Sequence, residues 1–453
     1  MIVSKHLINY QLSDTHHILI NSLSGAVDVV EKDLADKLHN CERDPQVLFT
    51  QQELTVFQER GYLFDNTAEE KKAKDRIMQM IWKTMEEDEY INIALCPTLS
   101  CNFSCNYCFE KNVKKTDSFT LANIGHAFSC IAELKKIKNK KYVRIDLFGG
   151  EPLMPHMMPI NEYIFKKSGS EEYKISILTN GYNIDTYLNL LNQNKSTVES
   201  IQVTLDGIAD IHDRRRYTKN ETGTFSKITD NVDRLLLNGF KVIIRTNIDF
   251  DNISKLEEYA EYIQKRWGNY TNLRCGIAPV TNYRGQNEKA TVGKECDYVE
   301  PIFKSFDHCH ALHKFNLGFF RILSHVVNII ENDEKENILP RYYFCQATGM
   351  EYYIISPDNN IYCCPEVIGV EKYSVGKLFP KLHLDEHKLA SWRQRNILNI
   401  PECKDCLYGP LCGGGCSLQH FESSSANSCP NPQNTLFKYL EMRKDHIIKK
   451  YTV

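Results

Sequence analysis

The stretch CPTLSCNFSCNYCF, residues 96–109, places four cysteines in fourteen positions, and its setting decides the fold. Cys101, Cys105 and Cys108 are spaced CxxxCxxC, directly after the strand-like run YINIALCPT. Five more such runs follow: YVRIDLF, YKISILTN, ESIQVTLD, FKVIIRTNI and NLRCGIAPV. Helical stretches such as TFSKITDNVDRLLLNGF separate them. Six strand–helix units in series predict an α/β fold with a parallel sheet, open or closed into a partial barrel. In such folds chemistry gathers at the C-terminal ends of the strands. The cysteine loop follows the first strand, GGEP (149–152) the second, TNG (179–181) the third and LDG (205–207) the fourth. The candidate site residues therefore converge on one rim.

A chain of 453 residues is long enough for about three domains. Hydrophobic residues make up 42% and charged residues 25%, an ordinary globular balance. The net charge of −3 gives no reason to expect nucleic acid or an anionic membrane as the main partner. The opening MIVSKHLINYQLSDTHH has no long apolar core, and no apolar run reaches the length of a membrane span. A cytoplasmic location is expected. There clustered cysteines more often bind metal or do catalysis than form disulfides. Of the 17 cysteines, Cys41, Cys130, Cys275, Cys296 and Cys309 stand alone and read as small buried hydrophobes. The others fall into two groups, one at 96–108 and one at 345–429.

Three thiolates on a short loop can hold three corners of a [4Fe–4S] cube and leave the fourth iron open to a small ligand. Zinc would normally recruit a fourth protein ligand. Cys96 is at hand, but it sits in the strand just ahead of Pro97 and reads as a barrel residue. Tyr107 would pack against whatever the open iron binds. Gly149 and Gly150 allow close approach to a ligand, and Glu151 offers a carboxylate for an ammonium group.

Residues 1–66 form a separate unit. HHILINSLSGAVDVV reads as a hairpin, VEKDLADKLHNC as a helix, and FTQQELTVFQERGYLF as a helix followed by a short strand. The pattern is winged-helix-like. Ten Asp/Glu against five Lys/Arg, a balance of −5, argue against a phosphate-binding surface. Residues 67–89 read as a charged helical linker, 90–295 as the barrel, 296–340 as a helical bridge, and 341–453 as a cysteine-rich unit. Within the last, CKDCLYGPLCGGGC runs C-x2-C-x5-C-x3-C from Cys403 to Cys416, and its glycines permit sharp turns.

CxxxCxxC with an aromatic before its last cysteine, followed by GGEP, resembles the radical S-adenosylmethionine (radical SAM) superfamily. VTLDGIADIHDRRR…TGTFSKITDNVDRLLLNGFKVIIRTNI resembles its peptide-modifying branch over about 200 residues. The resemblance implies a partial (β/α)6 barrel of TIM type and a cluster on Cys101, Cys105 and Cys108 that binds SAM. Reductive cleavage would give a 5′-deoxyadenosyl radical. Gly149, Gly150 and Glu151 would face the methionine moiety, with Thr179, Asn180, Thr204 and Asp206 on the ribose side. Arg245 would hold the methionine carboxylate.

The C-terminal cysteines resemble the SPASM extension, which carries two auxiliary [4Fe–4S] clusters, three per chain in all. Cys345, Cys364 and Cys416 would hold one, and Cys403, Cys406, Cys412 and Cys429 the other. PDNNIYCC departs from the family's PDGxxYPC: Asn359 replaces a glycine, and Cys363 stands where a proline is usual. Either Cys363 is the fourth ligand of the first auxiliary cluster or that site is open. Strand alternation favours the open site, where a substrate thiolate could bind.

The N-terminal unit resembles the RiPP recognition element, a PqqD-like domain that binds a leader peptide as an added strand. HHILINSL is the stretch whose edge would be tested. The resemblance implies a maturase of sactipeptide or ranthipeptide type that forms Cys thioether cross-links in a ribosomal precursor peptide. A flavodoxin or ferredoxin would supply electrons. C–C cross-linking and formylglycine formation, as in anaerobic sulfatase maturation, are the alternatives. A redox-sensing DNA-binding regulator is the competing class.

Overall fold

The computed structural model describes residues 1–41, 44, 49–111, 117–282, 292–331, 339–349, 351–422 and 429–452. Residues 283–291 at the end of the expected barrel segment, 332–338 in the bridge and 423–428 in the C-terminal unit lie outside the described residues.

The N-terminal unit begins with β1 (Ile2–Val3), β2 (Leu7–Gln11), β3 (His16–Asn21) and β4 (Val27–Glu31). It continues with α1 (Lys32–Asn40), α2 (Gln51–Glu59) and β5 (Leu63–Phe64). Strands β2, β3 and β4 form an antiparallel sheet in that order, and β1 pairs with β5. Period-two alternation splits β3 between two cores. Leu19 packs with Ala26, Leu38, Phe57 and Tyr62 beneath the unit's own helices, whereas Ile18 and Ile20 join the main core of the molecule. The expected hairpin is present. However, HHILINSL is the central strand, hydrogen-bonded to β2 on one side and β4 on the other. Its edges are taken, so an added strand has to pair with β2 or β4.

The linker is one helix, α3 (Thr67–Glu87), capped by the Asn66 side chain, which accepts from the amides of Ala68 and Glu69. It leads into β6 (Tyr90–Leu95) and then α4 (Ile124–Ile137), β7 (Tyr142–Leu147), α5 (Met158–Ser170), β8 (Lys174–Thr179) and α6 (Ile184–Gln193). After these come β9 (Val198–Thr204), α7 (Ala209–Arg215), α8 (Phe225–Leu237), β10 (Val242–Ile248), α9 (Leu256–Trp267) and β11 (Leu273–Pro279). All six expected strands form, and they pair in parallel in chain order. Val143, Ile145 and Leu147 of β7 are buried, as are Ile175 and Ile177 of β8. The alternate residues Asp146, Ser176, Ser200, Gln202, Thr204, Arg245 and Asn247 occupy the other, less buried face. Ser200 Oγ meets Ser176 Oγ at 3.2 Å across it.

The chain continues through α10 (Glu295–His308), β12 (Phe315–Asn316), α11 (Leu323–Glu331), β13 (Tyr352–Ile355) and β14 (Asn360–Tyr362). Next are β15 (Gly376–Lys377), β16 (His383–Leu384), α12 (Glu386–Arg393), α13 (Gly409–Cys412), α14 (Ser417–Glu422) and α15 (Pro432–Thr452). Strand β12 extends the sheet beyond β11. On the other side β13 pairs parallel to β6, so the C-terminal hairpin completes one barrel-like sheet of eleven strands. The sheet does not close on itself: β12 and β16 are its two ends. Asn359 turns the β13–β14 hairpin at φ 67°, the left-handed conformation that asparagine tolerates.

The N-terminal unit and the linker helix are tied to the C-terminal unit. Ser22 Oγ donates to Leu407 O at 2.6 Å, and Lys74 Nζ to Lys404 O at 2.7 Å. The Tyr10 ring packs on Phe437 of α15 at 5.0 Å. No helix among the described residues is long and apolar enough to cross a membrane.

The β6–β7 ladder runs on past both strands into the loops: Phe148 N donates to Leu95 O, Gly150 N to Thr98 O and Glu151 N to Ser100 O, at 3.0, 3.0 and 2.8 Å. A β-carbon on Gly150 would sit 2.3 Å from Ser100 O, and one on Gly149 2.6 Å from Cys96 Sγ and Thr98 O. The close approach these glycines permit is thus between two loops of the chain itself. Gly150→Ala should cost about 1–3 kcal/mol by forcing backbone apart, read as a lowered urea midpoint of the iron-free protein.

Candidate active site

The cysteine loop has no helix or strand of its own between Pro97 and Phe109. It is held from two sides. GGEP grips 98–100, as above. On the other side, residues 102–106 run antiparallel to 215–219, just after α7: Lys219 N donates to Asn102 O (3.1 Å), Ser104 N to Tyr217 O (2.9 Å) and Asn106 N to Arg215 O (3.3 Å). Phe103 pairs with Thr218, so Cys105 stands opposite Arg216.

Cys101, Cys105 and Cys108 are half-buried. Burial first, and then the charges of Glu151, Cys105 and Cys108, push the Cys101 thiol up to about 12, against a hydrogen bond from Phe103 N. Buried thiols that repel one another as thiolates suit a bound cation, which takes their protons' place. Cys96 is fully buried, its thiol directed at Thr98 O at 3.4 Å.

The Glu151 carboxylate is 1% exposed and already used. It accepts from Thr179 Oγ1 (2.6 Å), Asn180 N (2.7 Å) and Leu153 N (2.9 Å). It joins the loop after β7 to the end of β8. Asn180 Nδ2 then donates to Asn102 Oδ1 at 2.8 Å, tying β8 to the cysteine loop. Thr204 lies opposite Arg245 on β10, whose Nε donates to Asn247 Oδ1 at 2.9 Å and whose guanidinium lies 4.5 Å from the Phe319 ring.

Asp206 is fully buried and also turned inward. It accepts from the Tyr107 hydroxyl and from Asn247 N (3.0 Å), and Arg215 Nε is 3.7 Å away. Arg215 also pairs with Asp249 at 2.7 Å. Tyr107 accepts in turn from Arg216 Nη1 (2.7 Å) and Asn247 Nδ2 (3.1 Å), and burial pushes its own hydroxyl well above its ordinary range. His212 is buried too, and its pKa falls to about 3 through burial and the Arg216 charge. Its Nδ1 therefore accepts from Asp206 N at 3.2 Å as a neutral ring. Arg215, Arg216, His212 and Asn247 were not among the sequence candidates. The only signal was the run HDRRR, which reads equally well as the basic end of a helix.

In the C-terminal unit, burial and then the charges of Cys345, Glu366 and Cys416 push the Cys364 thiol well up. Cys412, pushed to about 12, feels Cys403, Cys429 and Cys406. The thiols thus act on one another in two sets: Cys345 with Cys364 and Cys416, and with Cys363 as well, and Cys403, Cys406, Cys412 and Cys429 in the other. Gly413, Gly414 and Gly415 are all left-handed, and a β-carbon on Gly413 would strike Tyr343 O at 2.3 Å. Strand β14 ends at Tyr362, so Cys363 and Cys364 lie just beyond the β13–β14 ladder, and the Cys345 charge acts on both thiols. Arg393, over the Tyr353 ring at 4.9 Å, counters the burial that pushes Cys363 to about 12. Cys296 bonds Asp297, and Cys309 points at Glu257 O. Among the described residues, no three His, Cys, Asp or Glu side chains meet as ligands of a single metal ion. The ligands of a cube sit on separate irons.

A cysteine loop hung from β6, with GGEP just after β7, Thr179 and Asn180 at the end of β8 and Thr204 and Asp206 at the end of β9, is the decisive arrangement. Residues 95–263 match the radical SAM superfamily. A cysteine-type anaerobic sulfatase-maturating enzyme of Clostridium novyi (strain NT) is 23% identical over 335 residues, 70% of this chain and 85% of that protein. The solved structure of anSMEcpe with bound AdoMet superposes with a TM-score of 0.59 at 17% identity, over 80% of this chain and 98% of that one. SuiB of Streptococcus suis, bound to its precursor peptide SuiA, gives 0.58 at 16% identity, over 94% and 97%. At these identities the structural likeness speaks for the fold.

The inward-turned Glu151 makes a distinct expectation. Glu151→Gln puts an amide donor against the Thr179 hydroxyl or the Asn180 N–H and should destabilise the iron-free protein by about 1–3 kcal/mol. A carboxylate free to bind a ligand ammonium would instead leave urea stability unchanged and weaken only SAM binding.

Proposed function

We propose that this chain is a radical SAM maturase that modifies a ribosomally made precursor peptide, forming thioether links from substrate cysteines. The observation that carries the peptide substrate is the reach of the SuiB likeness: it extends over 94% of the chain, and SuiB was solved with a precursor peptide bound. The anSMEcpe likeness covers 80%.

The residues fit the cofactors such a reaction needs. Cys101, Cys105 and Cys108 would hold a [4Fe–4S] cluster, which supplies one-electron cleavage of SAM and so a radical that removes hydrogen from the peptide. The GGEP loop and the 215–219 segment fix the cysteine loop from both sides. Asn180, Thr204 and Arg245 line the rim where SAM would lie. Glu151 and Asp206 support that rim through Thr179, Asn180 and Tyr107. Cys345, Cys364 and Cys416, and separately Cys403, Cys406, Cys412 and Cys429, fit two auxiliary clusters. Strand alternation carried through the hairpin would put Cys363 on the face opposite Cys364, which favours an open position for a substrate thiolate on the first of them.

The leader segment would add as a strand to β2 or β4, the outer strands of the N-terminal sheet. A second reading, oxidation of a cysteine to formylglycine, is favoured by the Clostridium novyi relative. The two differ in product: a thioether retains sulfur and loses two hydrogens, whereas formylglycine loses the sulfur.

Replacing Cys101, Cys105 and Cys108 together by Ala should remove about four of about twelve irons and abolish SAM cleavage. Reductive cleavage retained in that variant would refute the cluster assignment. Mass spectrometry of the co-expressed precursor decides between the products: retained sulfur with two hydrogens lost supports the thioether. Leader binding should protect amides within 7–11 or 27–31 from hydrogen exchange. Protection confined elsewhere would count against the N-terminal unit as the leader site.

A further inference from the structure

Arg216 is 8% exposed, and no carboxylate pairs with it directly, although the Asp206 and Cys105 charges favour its charged form. The neighbouring carboxylates are engaged elsewhere: Asp206 with Tyr107, Asn247 and Arg215, and Asp249 with Arg215. Among the described residues no carboxylate lies within ion-pair distance of Arg216, and its one side-chain hydrogen bond goes to the Tyr107 hydroxyl at 2.7 Å. Its Nε is buried without a partner. Its guanidinium lies 5.8 Å from the Phe103 ring, inside the cysteine loop. A buried cation with no directly paired anion is costly for a fold to carry.

The backbone shows which anion is missing. In the antiparallel pairing of 102–106 with 215–219, Arg216 is the residue directly opposite Cys105. Directly opposed side chains on such a pair share a face and touch. The pairing is itself braced: Arg216 N donates to His212 O at 2.7 Å, and Arg216 O accepts from Thr224 Oγ1 at 2.7 Å. The guanidinium is thus delivered to Cys105 by a fixed backbone.

We propose that Arg216 is the built-in counter-charge of the Cys105 corner of the cluster, stabilising the form of the cluster that has gained one electron. This rests on the assignment of Cys101, Cys105 and Cys108 as the cluster ligands. A fixed cation in a low-dielectric site favours the more negative of two states, so Arg216 raises the reduction potential. Its charge, more than its shape, is what the site requires.

The test uses the full chain, anaerobically loaded with iron and sulfide, with Arg216→Met and Arg216→Lys. The potential is read by an EPR-monitored titration with dithionite, which supplies the electron. The signal followed is the one missing from the Cys101, Cys105, Cys108 triple Ala variant; if that variant keeps every signal, the cluster assignment itself fails, independently of Arg216. Arg216→Met should keep the wild-type iron content and shift the potential to more negative values. Arg216→Lys should restore it towards wild type. If Arg216→Met fails to take up iron, assembly rescued by Arg216→Lys at a near-wild-type potential supports the charge. An unchanged potential in an iron-replete Arg216→Met overturns the proposal. Equal failure of both variants overturns it as well, because shape would then be the requirement. So does weakened SAM binding at unchanged potential, which would give Arg216 to the SAM carboxylate.

Discussion

The structure depends on holding an irregular loop still. Residues 97–109 carry three thiols at the mouth of a half-barrel and have no helix or strand to define them. Their backbone groups are instead satisfied by two flanking segments, GGEP and 215–219. Buried backbone polar groups left unpaired would be costly, so the loop keeps its shape only while both flanks are in place. One flank needs glycine because any β-carbon would meet a carbonyl oxygen. The other needs the short helix α7 to end where it does, so that the chain turns back along the cysteines.

Beneath that loop lies a layer of charge that the hydrophobic barrel would not tolerate unbalanced. Asp206, Asp249, Arg215 and Tyr107 satisfy one another, and the neutral His212 braces Asp206 from behind. In a low dielectric each of these bonds is stronger, and each omission more costly, than at a surface. The network therefore acts as a rigid floor for the rim. Arg216 is the member whose partner lies on the cysteine side of that floor.

The N-terminal unit is part of the same body. Its sheet is apolar on both faces, one covered by its own helices and the other by the main core. Its turn residue Ser22 bonds the loop that follows Cys406. A peptide strand added at β2 or β4 would thus be joined, through one sheet and one hydrogen bond, to the segment carrying Cys403 and Cys406. A surface module on a flexible tether would have no such mechanical link.

The six strand–helix units, the linker helix, the β3–β4 hairpin and the left-handed Asn359 were legible in the sequence. Each is a local property: apolar alternation, a charged helical run, a turn residue. The cysteine spacing and its place on the rim were legible for the same reason. The tertiary structure alone decided the rest. It placed HHILINSL in the middle of its sheet and set β13 against β6. It engaged Glu151 and Asp206 in hydrogen bonds within the chain, to Thr179, Asn180 and Tyr107, and it brought Arg216 to Cys105 across an antiparallel pairing. Strand neighbours and buried charge partners are chosen by register between segments far apart in the chain. Periodicity tells which face a residue is on, but not which residue will stand opposite.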